Sequence, residues 1–142
     1  MKKSLCSAFF IAAVAVVAVT VPCASAAAET FSQTQFDIAV KNYKKSFIDG
    51  LCLGIKLGSR GKVVVSTAQR SKMENMADDF IHKALIPAMQ RNDLTAVWVK
   101  AQLDPELIQL NNQGRNAKNI YELQLIMGKG VDFINRKYPQ MK

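Results

Sequence analysis

Apolar positions between Phe36 and Lys62 fall at three- and four-residue steps: Phe36, Val40, Tyr43, Phe47, Leu51 and Ile55. That spacing predicts one amphipathic helix from about Phe36 to Leu57. Gly50, Gly54 and Gly58 recur every four residues along a neighbouring line of the same helix. Each internal glycine costs a helix about 1 kcal/mol relative to alanine, so three in register predict that another backbone packs closely against them. This is the pattern of a contact surface, not of a catalytic one. Gly58-Ser59-Arg60-Gly61 then offers a glycine suited to the left-handed backbone that follows a helix. The preceding segment, Ala27 to Gln35, is small and polar and reads as a frayed start.

Lys62 to Val65 is β-branched but too short for a strand, and an extended connection is expected. Ser66-Thr67-Ala68-Gln69 has the spacing of a capping box, which starts a second helix. Met73, Met76, Ala77, Phe80, Ile81, Ala84 and Leu85 follow on one stripe, predicted to pack on the first helix until Pro87 ends or kinks it. Asn92-Asp93 is the expected cap of a short third helix from Leu94 to Gln102 that carries Trp98. Asp104-Pro105-Glu106 restarts the chain with a capping aspartate, proline at the first helical position and an acid in the first turn. Asn111 to Gly114 reads as the stop of that brief helix. Asn116 then caps a last one, whose face carries Ile120, Leu123, Met127, Val131 and Ile134. The fold class expected is all-α: a small single-domain bundle of four or five helices, with Trp98 wedged beside the three longer ones.

The N-terminus belongs to a different pattern. Lys2 and Lys3 precede an unbroken apolar run of 12 residues, Ala8 to Val19, and Ala24-Ser25-Ala26 places small residues where a signal peptidase reads. Residues 1–26 are therefore expected to be a cleaved signal peptide and 27–142 a single helical domain that is periplasmic or secreted. The apolar run is shorter than the roughly 20 residues needed to span a bilayer, so no transmembrane anchor is expected. Pro22 stands where a lipoprotein signal needs a small residue, which disfavours acylation of Cys23.

Cleavage would leave 17 basic and 11 acidic side chains, a formal charge of +6. The cations are spread over every segment, without interleaved aromatics that could stack bases, and no nucleic acid partner is expected. Of three cysteines only Cys52 would remain, either as a small buried hydrophobe or as one half of an intermolecular disulfide in a homodimer.

Candidate chemistry is sparse. His82 is the only histidine, which removes most metal sites and most nucleophile–base pairs. Glu74, Asp78 and His82 lie four residues apart, and Asp79 with His82 has the spacing of half a di-iron site, but no second half exists. These residues read as a solvated face. The Gly58–Lys62 loop lacks the glycine and the hydroxyl that a nucleotide P-loop requires. No cofactor, no metal and no enzymatic activity are expected. The residues that remain as candidates for contact with a protein partner are Gly50, Gly54, Gly58, Arg60, Lys62, Trp98 and Tyr121.

Export, about a hundred helical residues, and Asn42-Tyr43-Lys44 some eight residues ahead of Cys52 on the first helix together resemble the periplasmic immunity proteins that neutralise type VI secreted peptidoglycan amidases. The likeness covers the first helix and the overall layout. It implies a small all-helical protein, often dimeric, that blocks the cleft of an envelope hydrolase with a loop. Two other classes fit the same composition. One is a periplasmic chaperone or stress protein using a methionine-rich face of Met73, Met76 and Met89; the other is a helical domain with a small-ligand pocket inside the bundle.

Overall fold

A computed structural model describes residues 30–141; the signal peptide expected at 1–26 lies outside them. The described chain is all α-helical. Its elements are α1 (Gln33–Gly58), α2 (Thr67–Phe80), α3 (Ile86–Arg91), α4 (Thr95–Gln102), α5 (Pro105–Arg115) and α6 (Ile120–Lys137), followed by a 3-10 turn at Pro139–Met141. A π turn at Ile81–Leu85 joins α2 to α3 without a break, so the described chain forms five helical rods. None of its helices is long and apolar enough to cross a membrane.

α1 is the axis, packing against α2, α4, α5 and α6. It starts earlier than the apolar period predicts. Ser32 accepts the Gln35 backbone N–H at 3.1 Å while Gln35 Oε1 accepts the Ser32 N–H at 2.8 Å, a capping box that orders Gln33 to Gln35. The same box recurs at Ser66 and Gln69, as expected from their spacing.

Pro87 does not end the second rod. A proline cannot donate to the carbonyl one turn back and its ring crowds that carbonyl. The turn just upstream widens, and the Ile86 N–H reaches back five residues to the Ile81 carbonyl. The widened turn also explains which residues face inward. Ala77, Ile81, Leu85 and Met89 are buried at strict four-residue steps. On an ideal α-helix such steps gain about 40° each, so three would swing Met89 roughly 120° off Ala77's direction. One extra residue taken up by a π turn returns about 100° of that. Met76 and Phe80 are exposed instead, at 64% and 39%.

Asn92-Asp93 closes the second rod and does not cap the third. Asp93 takes a left-handed φ of 54°. Its N–H bonds the Gln90 carbonyl at 3.3 Å, and the Leu94 N–H bonds that of Met89 at 2.9 Å, which is a Schellman ending. α5 runs through Asn111–Gly114 to Arg115, and α6 is capped by Asn119, whose side chain accepts from Glu122 N–H at 2.9 Å. Asn116 is spent on the end of α5, donating from Nδ2 to the Asn112 carbonyl.

The core forms where α1, the second rod, α4 and the chain end meet. Trp98 lies between Phe36 and Tyr43, with ring centroids at 6.4 and 5.7 Å, among Ile81, Leu85, Met89, Leu107 and Phe133. At 2% exposure Trp98 is a core residue and is corrected from its reading as a surface contact.

Candidate functional site

Two places gather the candidate residues: the loop after α1, and a cavity between α1, α5 and α6. The loop is built by the end of α1. Arg60 N–H bonds the Leu57 carbonyl at 3.1 Å and Gly61 N–H that of Lys56 at 2.7 Å, a second Schellman ending. Its left-handed position, the one that favours glycine, is held by Arg60 at φ 54°; Gly61 follows at φ 78°. Ser59 then ties the loop base, donating its hydroxyl to the Lys56 carbonyl at 3.1 Å and accepting from the Val63 N–H at 2.9 Å. Beyond this tie residues 63–65 form no helix or strand, and the backbone is extended at the Ser66 cap. Arg60 and Lys62 are exposed, and so are Val63 and Val64 at 47% and 74%.

The two helices that carry the loop are clamped by charge. Lys44 on α1 reaches Asp78 on α2 at 2.6 Å. Nearer the loop, Asp49 receives Arg70 of α2 at 2.7 Å through one oxygen and Arg115 of α5 at 3.0 Å through the other. Arg115 also donates to Ser46 at 3.2 Å and to Asn112. Arg70 extends to Glu74 at 3.3 Å, and its hydrogen bond to Asp49 raises its already high pKa. Cys52 is half-buried beside this group, its Sγ 3.9 Å from Arg70 Nη1.

The cavity lies beside the Asp49 group. It holds about 90 Å³, opens partly to solvent and is walled mainly by apolar side chains of α1, α5 and α6. Gly50 lines it, as do Gly114 of α5 and Gly130 of α6. Among the described residues no backbone closes on Gly50 or Gly58: beyond its own helix, a Cβ at either would meet nothing within 4 Å. Gly54 is buried, and Gly58 is an exposed helix end. The Tyr43 hydroxyl, from a side chain in the same wall, is buried without a hydrogen-bond partner among the described residues. Burial pushes its pKa well above the ordinary phenol range, so it stays protonated and is a donor.

The remaining candidates sit apart. Tyr121 is 79% exposed on α6, one turn before the likewise outward Leu125. The carboxylates with metal-ligand spacing are held by cations: Asp78 by Lys44, Glu74 by Arg70, and Asp79 by Lys83 at 2.8 Å, while His82 is exposed. Among the described residues no group of three or more potential ligands converges. Met89 is 1% exposed and Met76 64%, so the methionines do not share one surface.

Sequence reasoning found the loop cations and allowed for a pocket inside the bundle, but it named neither the Asp49 hub nor the residues that line the cavity. The hub's signal was available only as unassigned charges at positions 49, 70 and 115. No family model, curated protein or solved structure matches this chain.

Proposed function

We propose that this chain is an exported inhibitor of the immunity-protein type, whose loop from Ser59 to Val65 enters the cleft of a cell-wall-degrading enzyme. The observation that carries the reading is Arg60 in the left-handed position of an otherwise well-made helix ending. A glycine would fold better there, since a side chain in that region costs roughly 1–2 kcal/mol. Strain of this kind is retained at sites where the side chain is used. Arg60 presents a guanidinium beside Lys62 and two exposed valines, an arrangement of apolar contact with flanking charge suited to an acidic cleft. The loop base is fixed by Ser59 and by the Asp49 and Lys44 clamps, so little ordering entropy would be lost on binding.

The test uses the mature protein as bait in an envelope fraction, followed by titration of the recovered hydrolase. A single hydrolase at near-equal stoichiometry is expected, with binding weakened about tenfold or more by Arg60→Glu or Val64→Asp and hydrolase activity restored. Recovery of no hydrolase, or equal binding by both variants, defeats the proposal.

A further inference from the structure

We infer that the outward face of α6 pairs two copies of this chain, antiparallel about a two-fold axis, with Leu125 of each seated on Gly128 of the other. Leu123, Gly130 and Phe133 are buried and turn the inner face of this helix to the core. Tyr121, Leu125, Gly128 and Asp132 are exposed on the opposite side, within about 60° of one another on a helical projection. Tyr121 at 79% and Leu125 at 62% thus form one apolar strip. Gly128 is the residue that needs an explanation. An added Cβ there would meet nothing within 4 Å, and alanine would make the better helix, so nothing inside the fold calls for a glycine. A second backbone approaching from outside does, because the missing side chain leaves a hollow one turn from Leu125.

The order of the four residues selects a second copy as the partner. Leu125 and Gly128 have the same midpoint along the helix as Tyr121 and Asp132. An antiparallel two-fold through that midpoint sets each Leu125 on the other copy's Gly128 and each Tyr121 opposite the other copy's Asp132, as an isologous contact requires. The Tyr121 hydroxyl then donates to the Asp132 carboxylate, which has no hydrogen bond or ion pair among the described residues. Charge favours the same register. Glu122 of one copy falls within one turn of Lys129 of the other. Across the face Lys118, Lys129 and Arg136 are balanced by Glu122, Asp132 and Glu106, which holds Arg136 at 3.8 Å, whereas the whole chain carries +8. Net positive charge makes copies repel one another, and on this face it is cancelled. One helix face is small against the roughly 1,600 Å² of a standard interface, so the pair is weak and mostly dissociated at low micromolar concentration. The contact uses neither Cys52 nor the loop from Ser59 to Val65, and it stands apart from the inhibitor reading.

The test is sedimentation equilibrium of the exported protein in reductant, from about 5 µM to about 1 mM, the range of a weak pair. The average mass should rise from that of one chain toward that of two. Gly128→Leu, for which the fold leaves open space, should weaken pairing about tenfold or more while circular dichroism shows a folded monomer, and Leu125→Glu should act alike. Tyr121→Glu sets a carboxylate against Asp132 and should also weaken it, and adding Asp132→Lys should restore it. Within one chain these two positions are about 16 Å apart along the helix, so the rescue can arise only between copies. Val64→Asp, an exposed loop substitution, should leave association unchanged. The mass of one chain at every concentration, a pair indifferent to Gly128→Leu or lost with Val64→Asp, or a double substitution that does not rescue Tyr121→Glu each overturns the inference.

Discussion

Asp104 joins the start of α5 to the end of the chain, and replacing it tests how the bundle is closed. One of its oxygens accepts the Glu106 N–H at 3.0 Å, capping α5. The other accepts the Tyr138 hydroxyl at 2.6 Å and Lys137 Nζ at 2.7 Å, with the aspartate side chain only 6% exposed. Asp104→Ala removes a helix cap, worth about 1 kcal/mol. It also removes the hydrogen bond from the Tyr138 hydroxyl to a carboxylate, worth about 1.5–3 kcal/mol. Lys137 is half exposed and adds little. The expected loss at pH 7 is therefore about 2–4 kcal/mol.

Urea unfolding followed by the fluorescence of Trp98, the sole and buried tryptophan, reads this as a midpoint lowered by about 1–3 M. The pH dependence gives a second reading. Burial alone would raise the Asp104 pKa, but the hydrogen bonds from Lys137, Tyr138 and the Glu106 N–H, with the Lys137 charge, hold it below its usual value. A carboxylate with a lowered folded-state pKa stabilises above its unfolded value of about 3.9 and loses that contribution as pH falls through the folded value. Asp104→Asn keeps an oxygen for the cap but not the charge. The gap between it and the parent should thus narrow from about pH 5 downward. An Asp104→Ala loss under about 1 kcal/mol, or an Asn gap that stays constant in acid, refutes the reasoning.

Arg60→Gly should raise stability by about 1 kcal/mol in urea unfolding, because glycine takes the left-handed position freely, while weakening binding to the hydrolase. Gly61→Ala, at φ 78°, should lower stability by about 1 kcal/mol, whereas Gly128→Ala, with nothing within 4 Å of an added Cβ, should raise the melting temperature by a few degrees. Asp49→Ala should cost about 1–2 kcal/mol in urea unfolding, since two arginines from different helices lose their shared carboxylate. A double-mutant cycle with Arg115→Ala should return a coupling above about 0.5 kcal/mol, and a coupling near zero would show that the two act separately.

The all-α class was legible because apolar periods and caps agree: Ser66-x-x-Gln69 and Asp104-Pro105 mark helix starts where the structure has them. The identical Ser32-x-x-Gln35 signal is hidden because no apolar residue precedes Phe36 at a three- or four-residue step. Gly114 and the asparagines before it look like a stop, yet α5 continues because Leu107 and Leu110 pack its face inward. Local propensity yields to such burial. Asn116 and Asn119 are both suitable caps, and only the register of α6 against α5 decides between them. The loop cations could be read from composition. The cavity could not, because it depends on which glycines from three distant segments come together, and one chain carries no record of that pairing.

The π turn at Ile81–Leu85 has a consequence for how this chain tolerates length change. It behaves as a one-residue insertion already absorbed by the helix, so deletion of an exposed neighbour such as Lys83 offers a route back to unbroken α-helix. The downstream helix would keep its facing, because the residue removed is the one whose roughly 100° the wide turn already takes up; Met89 stays in the core and the Asn92–Leu94 reversal still delivers Trp98 to its place between Phe36 and Tyr43. Losing any one of the exposed residues His82, Lys83 and Ala84 should therefore be tolerated, whereas straightening the turn to α-helix at unchanged length should rotate everything past it by about 100° and carry Met89 out of the core.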